Sequence, residues 1–483
     1  MKSDKKDGMV FISVPSGYMP ASNKGIPQFF QRLKLGADKT EQVTFELNEE
    51  PNDNCVVLAM GAAHLANRSS KDVSQFENGF IPDVNALIAS YKSEGKKVYG
   101  ITLGDQSWDL YWYDQKFSIK EATAEFARVD CPIFHCMGNH DNDINSRGDW
   151  NCSQAWRSNV GPTYYSFNLG KVHYVILDDI EYTNTTGDRE QNARITTEQM
   201  AWLRKDLATV KDKSAPLVLC MHIPLHNRAD INSSGQQVDV AASIQNASEL
   251  IAAVSEFSNV KFWTGHTHIN YDAKNGSNIH EYNIGGVCAT WWWTGAPGYH
   301  GNHICREGSP GGYGVFEWNG AEYNHYYKGI GHDRSYQMRT YDLNNVLINK
   351  TDHCPNANAE MAALISTYAH GYDKANKNNE VLINVFGYGH GWKIDVTENG
   401  NALPVTRING YDPLHIVSFE MVRLDQNKHN FASSSMKSCW STHLFKVTAS
   451  SATSTIDIKV TDEHGNVYTE TMKRPKVFTY AMK

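Results

Sequence analysis

The sequence holds no CxxC pair, no apolar run near the ~20 residues of a membrane span, and no excess of basic charge. Each absence removes a class of function. Without CxxC, a cysteine-built zinc site is not expected. Without a long apolar run, no transmembrane span is expected. With 45 Lys and Arg against 53 Asp and Glu, the formal net charge is −8, so nucleic acid is not expected as the main partner. An anionic substrate then needs local positive charge, which bound metal cations can supply. The opening MKSDKKDG is too polar for the core of a signal peptide, and the following MVFISV is too short for one. Two locations stay open: the cytoplasm, or an extracytoplasmic site reached with a signal absent from these residues.

There is no internal repeat and no low-complexity tract. Nine cysteines leave at least one unpaired. Cys55, Cys136 and Cys220 lie in or beside strand-like runs, which suits buried thiols. Cys152, Cys305, Cys354 and Cys439 fall in loop-like contexts and are the candidates for pairing.

What is present is a chain of 483 residues, long enough for two or three domains. From about residue 55 to 285, short apolar runs alternate with helix-like segments. CVVLAM, KVYGITL, CPIFHCM, VHYVILD, PLVLCM and VKFWTG read as buried strands. SIKEATAEFARV and ITTEQMAWLRKDLATV read as helices, the second opening with Thr196 three residues before Gln199 in a capping-box pattern. This alternation predicts a layered α/β domain over 49–338. Beyond it, VLINVFG, WKIDVTENG, HIVSFEMVRL, HLFKVTAS and STIDIKVTDEHGNVYTETMK alternate like half-buried antiparallel strands, with DEHGN as a hairpin turn. They define a carboxyl-terminal β-domain over 339–483. In the amino-terminal segment 1–48, FISVPSGY and QVTFEL read as strands too few to form a stable sheet alone. They are either part of a truncated β-domain or pack on the core.

The strand ends carry the chemistry. VVLAM breaks through Gly61 into two alanines and His64. KVYGITL ends in Gly104-Asp105, and CPIFHCM in Gly138-Asn139-His140-Asp141. PLVLCM ends in His222, and VKFWT in Gly265-His266-Thr267-His268. In one layered sheet these ends converge on a single edge. Glycine before a ligand lets the backbone turn sharply and approach a substrate closely. Imidazole with carboxylate suits zinc, iron or manganese without fixing which.

These blocks, in this order, resemble the calcineurin-like metallophosphoesterases, whose pattern is D-x-H, G-D, G-N-H-D/E, H and G-H-x-H. Here they stand as AAH (62–64), GD (104–105), GNHD (138–141), His222 in MHIP, and GHTH (265–268). The flanking regions resemble a bacterial subgroup with accessory domains on both sides. The resemblance implies a β-sandwich flanked by helices, with accessory β-regions at both ends. It also implies two divalent ions (Zn, Mn or Fe) with a bridging hydroxide, acting on phosphate mono- or diesters. Position 62, His64, Asp105 and His268 hold the first ion in this reading, and Asp105, Asn139, His222 and His266 the second. His140 hydrogen-bonds the phosphoryl group or protonates the leaving oxygen, and Asp141 orients His140. The subgroup implies extracytoplasmic work, in the periplasm or at the cell surface, on a cell-envelope or environmental phosphoester.

Two positions depart from the pattern. The family's first Asp is Ala62 here, either a deliberate Asp→Ala replacement or a natural variant with one weak metal site. The alternative function is therefore a catalytically degenerate binding protein on a phosphoesterase fold. Purple acid phosphatases place a metal-binding Tyr where this chain has Trp108, so no iron–tyrosinate colour is expected. For substrate contacts, residues 290–313 read as a loop whose tryptophans either wall the cleft or pack between domains. Trp292 and Arg306 are the candidates there, with His303 behind them. Trp108, Asp109 and His226 join them by proximity to Asp105 and His222.

Overall fold

Strands that are buried on both faces read as unbroken apolar runs, because neither side meets water. The computed structural model describes residues 7–34, 42–68, 70–238, 241–294, 303–428 and 437–482. In it, Asn54–Met60, Lys97–Leu103 and Ile133–Cys136 lie parallel and side by side. Gly312–Asn319 and Glu322–Gly329 extend this sheet antiparallel on its other side, giving five strands. A six-stranded sheet holds Val172–Ile176, Leu217–Cys220, Val260–Thr264 and Ile279–Asn283 in parallel, with antiparallel strands at both edges.

The two sheets pack face to face. Val57, Ala59, Ile101, Leu103 and Phe134 from the first meet Phe167, Tyr174, Val218 and Trp263 from the second in one buried cluster. The alternate residues point outward. Val56, Leu58 and Val98 pack on Phe76 and Phe80 and on the helix Ile81–Ser93. Leu217, Leu219 and Phe262 pack on the helices Thr197–Thr209 and Ala247–Ala253. The result is a sandwich of two sheets between two helical layers. Phe134 and Phe167 stack at 3.6 Å between the sheets. Phe134→Ala is expected to destabilise the fold by about 3–5 kcal/mol, read by denaturant unfolding; a loss below about 1 kcal/mol would contradict this packing.

The amino-terminal strand Asp7–Phe11 pairs with Phe30–Lys34, and Val14 bridges to Phe167 of the second sheet. Val14, Phe29 and Phe30 are buried in the inter-sheet cluster, so this segment packs on the core. QVTFEL is not a strand; only Asn48–Glu49 just beyond it pairs, with Tyr18–Met19. The helix Ile119–Phe126 carries a capping box from Ser118 and Glu121. At Thr197–Thr209 the Thr196 hydroxyl accepts from the Gln199 backbone N–H, but the Gln199 side chain turns away to Asp178.

Beyond residue 337, two four-stranded sheets form a second, smaller sandwich. Val381, Ile383, Phe445 and Val447 face Val396, Ile456, Ile458 and Val460 across it. The DEHGN stretch joins Ile456–Thr461 to Val467–Met472 as a hairpin. HIVSFEMVRL, expected to be a strand, is helical from Pro413 to Asp425. Asp412 caps it by accepting from Leu414 and His415 N–H, and proline at the first helical position suits that start. All nine cysteines are buried free thiols, including the four candidates for pairing, Cys152, Cys305, Cys354 and Cys439. No helix among the described residues is long and apolar enough to cross a membrane.

Candidate metal centre and cleft

All five ligand-bearing strand ends lie on one edge of the sandwich. The backbone leaves the strands through left-handed conformations at His64 (φ 43°), Asp105 (φ 53°), His266 (φ 64°) and His268 (φ 56°). Such conformations are costly for non-glycine residues and collect at functional sites. Two glycines make the approach possible. A Cβ on Gly104, itself at φ 83°, would strike His222 and Gly138; one on Gly138 would strike Asp105.

The side chains form two imidazole pairs around one carboxylate oxygen. His64 Nε2 and His268 Nε2 are 3.0 Å apart, as are His266 Nδ1 and His222 Nε2. Asp105 Oδ2 lies between the pairs, 3.4 Å from His64 Nε2 and 3.0 Å from His222 Nε2. Asn139 Oδ1 is 3.1 Å from His222 Nε2. The rings are aimed from behind: His222 Nδ1 donates to Leu103 O (2.7 Å) and His268 Nδ1 to Ala289 O (2.7 Å). Each bond fixes the tautomer that turns an Nε2 lone pair inward, as metal-binding histidines require. The His140 backbone N–H donates to Asp105 Oδ1 (2.8 Å) and so fixes the central carboxylate.

Burial holds His64 well below the usual imidazole range, and lowers His266 to about 3 and His268 to about 4. These rings are neutral with their lone pairs available. Burial also works against ionisation of Asp105, but His222, His140 and His64 hold its carboxyl well below the usual range. At His222 burial is outweighed by Asp105, which raises the ring to about 9. A cation competes with that proton for the same lone pair. Neutral imidazoles, an ionised carboxylate shared between two pairs, and an amide oxygen fit two divalent ions.

Position 62 is the gap in this set. Ala62 is buried at φ 28°, a conformation that alanine tolerates poorly and aspartate or asparagine adopts more readily. Next to it Cys288 donates its N–H to Ala62 O, and its thiol stands 3.9 Å from His268 Nδ1.

The structure redistributes the roles around His140. Asp141, expected to orient His140, turns inward instead and accepts from Ser107 N–H (2.9 Å), Ser107 Oγ–H (3.0 Å) and Gly138 N–H (3.0 Å). The partner of His140 is Asp109, whose Oδ1 is 2.7 Å from His140 Nδ1. Its other oxygen pairs with Arg189 Nη2 at 2.6 Å. Asp109 is fully buried, so it supports the cleft from behind and does not line it. Asp109→Asn is expected to lower kcat roughly 10²-fold with metal content unchanged. Asp141→Asn is expected to lower thermal stability instead. A kcat loss confined to Asp141→Asn would reverse this assignment.

Above the centre lies a cleft of about 870 Å³ bordered by Trp108, Asn139, His140, Arg189, Arg228, Trp291, Arg306 and Trp440. Of the candidate substrate contacts, Trp108 and Arg306 line this cleft. Trp292 does not: it is buried, its indole N–H donating to Ala63 O at 2.8 Å, and Trp291 takes the place over the centre. Trp291 lies 3.8 Å from the His64 ring and stacks on His268 at 5.0 Å between centroids. His226 is also buried, held by Glu281 Oε2 and Asn275 and away from the cleft. His303 is buried against Trp292. Residues 295–302 of the tryptophan-rich loop lie outside the described residues. Sequence reasoning chose the wrong tryptophan of the 291–293 run and missed Arg189, Arg228 and Trp440, which come from loops with no motif.

A two-sheet sandwich between helical layers carries, at one sheet edge, histidine pairs flanking an aspartate, a donor set that suits divalent metal ions. Residues 57–270 match the family model of the calcineurin-like phosphoesterases, and residues 281–468 match that of the C terminal of calcineurin-like phosphoesterase. Together they span most of the chain, and it belongs to that family. Among solved structures it is similar to a dimetal phosphatase from Danio rerio (13% identity, TM-score 0.38, covering 57% of this chain and 96% of that one). It is also similar to a 5′-nucleotidase from Candida albicans (12%, 0.35, 57% and 52%). A third is a purple acid phosphatase from yellow lupin seeds, Lupinus luteus (15%, 0.35, 60% and 56%). No curated protein matches the chain.

Proposed function

We propose that the chain hydrolyses phosphate mono- or diesters at a dinuclear centre whose first position is weakened by Ala62. The observation that carries this reading is the place of Asp105 Oδ2, within 3.4 Å of one imidazole pair and 3.0 Å of the other. A carboxylate oxygen so placed would be within reach of cations held by either pair. His64, Asp105 and His268 would hold the first, and Asp105, Asn139, His222 and His266 the second. Zinc, manganese and iron all suit this donor set. When bound, the pair of cations supplies Lewis-acid stabilisation of the phosphoryl charge and activation of water.

The remaining steps belong to the chain. With Nδ1 committed to Asp109, His140 presents Nε2 to the cleft, where it donates to a phosphoryl oxygen or protonates the leaving oxygen. Burial would lower this ring, but Asp105 and Asp109 raise it, which keeps the proton available. Arg189 adds charge beside it. Trp108 and Trp291 wall the site and exclude water from the bound ester. The catalytic unit is 49–338, and the 339–483 unit contributes Trp440 to the cleft wall.

Ala62 also favours a second reading, a binding protein that has lost turnover. The two readings separate on a panel of p-nitrophenyl phosphate and bis-p-nitrophenyl phosphate, with manganese or zinc added. Hydrolysis by the chain or by its Ala62→Asp variant supports the enzyme. Metal-loaded Ala62→Asp that hydrolyses neither ester supports the binding protein.

A further inference from the structure

Three arginines, Arg189, Arg228 and Arg306, border the cleft. Arg189 is committed to Asp109. Arg228 is not committed in this way. It lies over the Trp440 ring, its guanidinium carbon 3.7 Å from the ring centroid. It forms no ion pair among the described residues, and its Nε and Nη1 are buried without a hydrogen-bond partner. Asp230 and Cys439 act on the Arg228 guanidinium, but two buried donors left without a hydrogen-bond partner still cost stability. A bound anion accepting from them removes that cost, and the contact with Trp440 holds the guanidinium in place for it.

The surroundings show a built wall. The loop after Arg228 is tied to the carboxyl-terminal unit: Asn409 Nδ2 donates to Asp230 Oδ1 at 2.6 Å. Arg306 is fixed beside it, its Nε donating to Lys437 O at 2.9 Å, while the Cys439 N–H donates to Arg306 O at 3.2 Å. Arg228, Arg306 and Trp440 all border the same cleft as Asp105, Asn139, His266 and His268, and among the described residues the only carboxylate on that border is Asp105. Trp440 comes from the carboxyl-terminal unit and Arg228 from the phosphoesterase unit, so the pairing exists only where the two meet.

We infer that Arg228 on Trp440, with Arg306 beside it, is a second anion subsite that takes a carboxylate or phosphate group carried elsewhere on the phosphoester. The inference rests on the phosphoesterase reading of the cleft. It narrows the substrate class to phosphoesters with a second acidic group, and it gives the carboxyl-terminal unit a role in selecting them.

The test is isothermal titration of the manganese-loaded chain with fructose 6-phosphate, fructose 1,6-bisphosphate and 6-phosphogluconate. The bisphosphate is expected to bind at least tenfold more tightly than fructose 6-phosphate. If 6-phosphogluconate shares the gain, the subsite takes carboxylate as well; if it does not, the subsite selects phosphate. In Arg228→Gln and in Trp440→Leu, checked for native melting, the preference is expected to fall to within about twofold. Equal affinities in the parent chain, or a preference that survives Arg228→Gln, would overturn the subsite. Repeating the titration after chelation separates the two claims. Loss of the metal-centre reading appears as no bound manganese and no hydrolysis. The Arg228-dependent preference is read from affinity ratios alone and stands or falls independently.

Discussion

Ala62→Asp is expected to raise bound metal to two ions per chain and to raise phosphoesterase turnover in the same step. The gain should exceed the roughly 10–100-fold that outer-sphere partners of a metal ligand contribute, because a direct anionic ligand is restored. The backbone is ready for the change: position 62 sits at φ 28°, where aspartate is better tolerated than alanine. The sign of the stability effect depends on the metal. In chelator the new carboxylate is buried near Asp105 without a counter-charge, and the melting temperature is expected to fall. With manganese the same variant is expected to melt above the parent chain, since ligand binding to the native state stabilises it by mass action. Unchanged metal content with unchanged activity would remove Ala62 from the account. Metal content is read by elemental analysis after gel filtration, and turnover with p-nitrophenyl phosphate.

Asp105→Asn is the opposite case. This carboxylate contacts both imidazole pairs and also anchors the His140 backbone. Its loss is expected to remove both ions, not one. Made in the Ala62→Asp chain, where activity is high enough to follow, it should lower turnover by at least the roughly 10³-fold that one missing charge-stabilising group can cost. His266→Ala in the same background should remove mainly the second ion. Retention of one full equivalent of metal in Asp105→Asn would show that the aspartate does not bridge.

Much of the sandwich was legible because its strands are buried on both faces. Runs such as VVLAM and VLC have no polar face to confuse the period, and each ends at a glycine or histidine that marks the sheet edge. The candidate ligand positions were read from that regularity and from motif order, and the fold brings them to one edge. What was not legible depended on contacts distant in sequence. Asp109 and Asp141 are both close to motif residues in the chain. Only the fold shows that Asp141 turns to Ser107 and Gly138 while Asp109 reaches His140. Three adjacent tryptophans have the same composition signal, yet left-handed backbone at Trp291 and Trp292 sends one to the cleft and the other under Ala63. HIVSFEMVRL has strand-like composition. The Asp412-Pro413 start, a helix cap followed by proline, was the local signal that outweighed it. Arg228 belongs to no motif, and its meaning appears only when Trp440 packs against it.

The central claim is that two cations flank Asp105. The most direct test is anomalous diffraction at the manganese edge from crystals of the manganese-loaded Ala62→Asp chain. The account predicts two peaks, one shared by His64, Asp105 and His268 and one by Asp105, Asn139, His222 and His266. A single peak off Asp105, or two peaks that do not share it, would contradict the dinuclear centre.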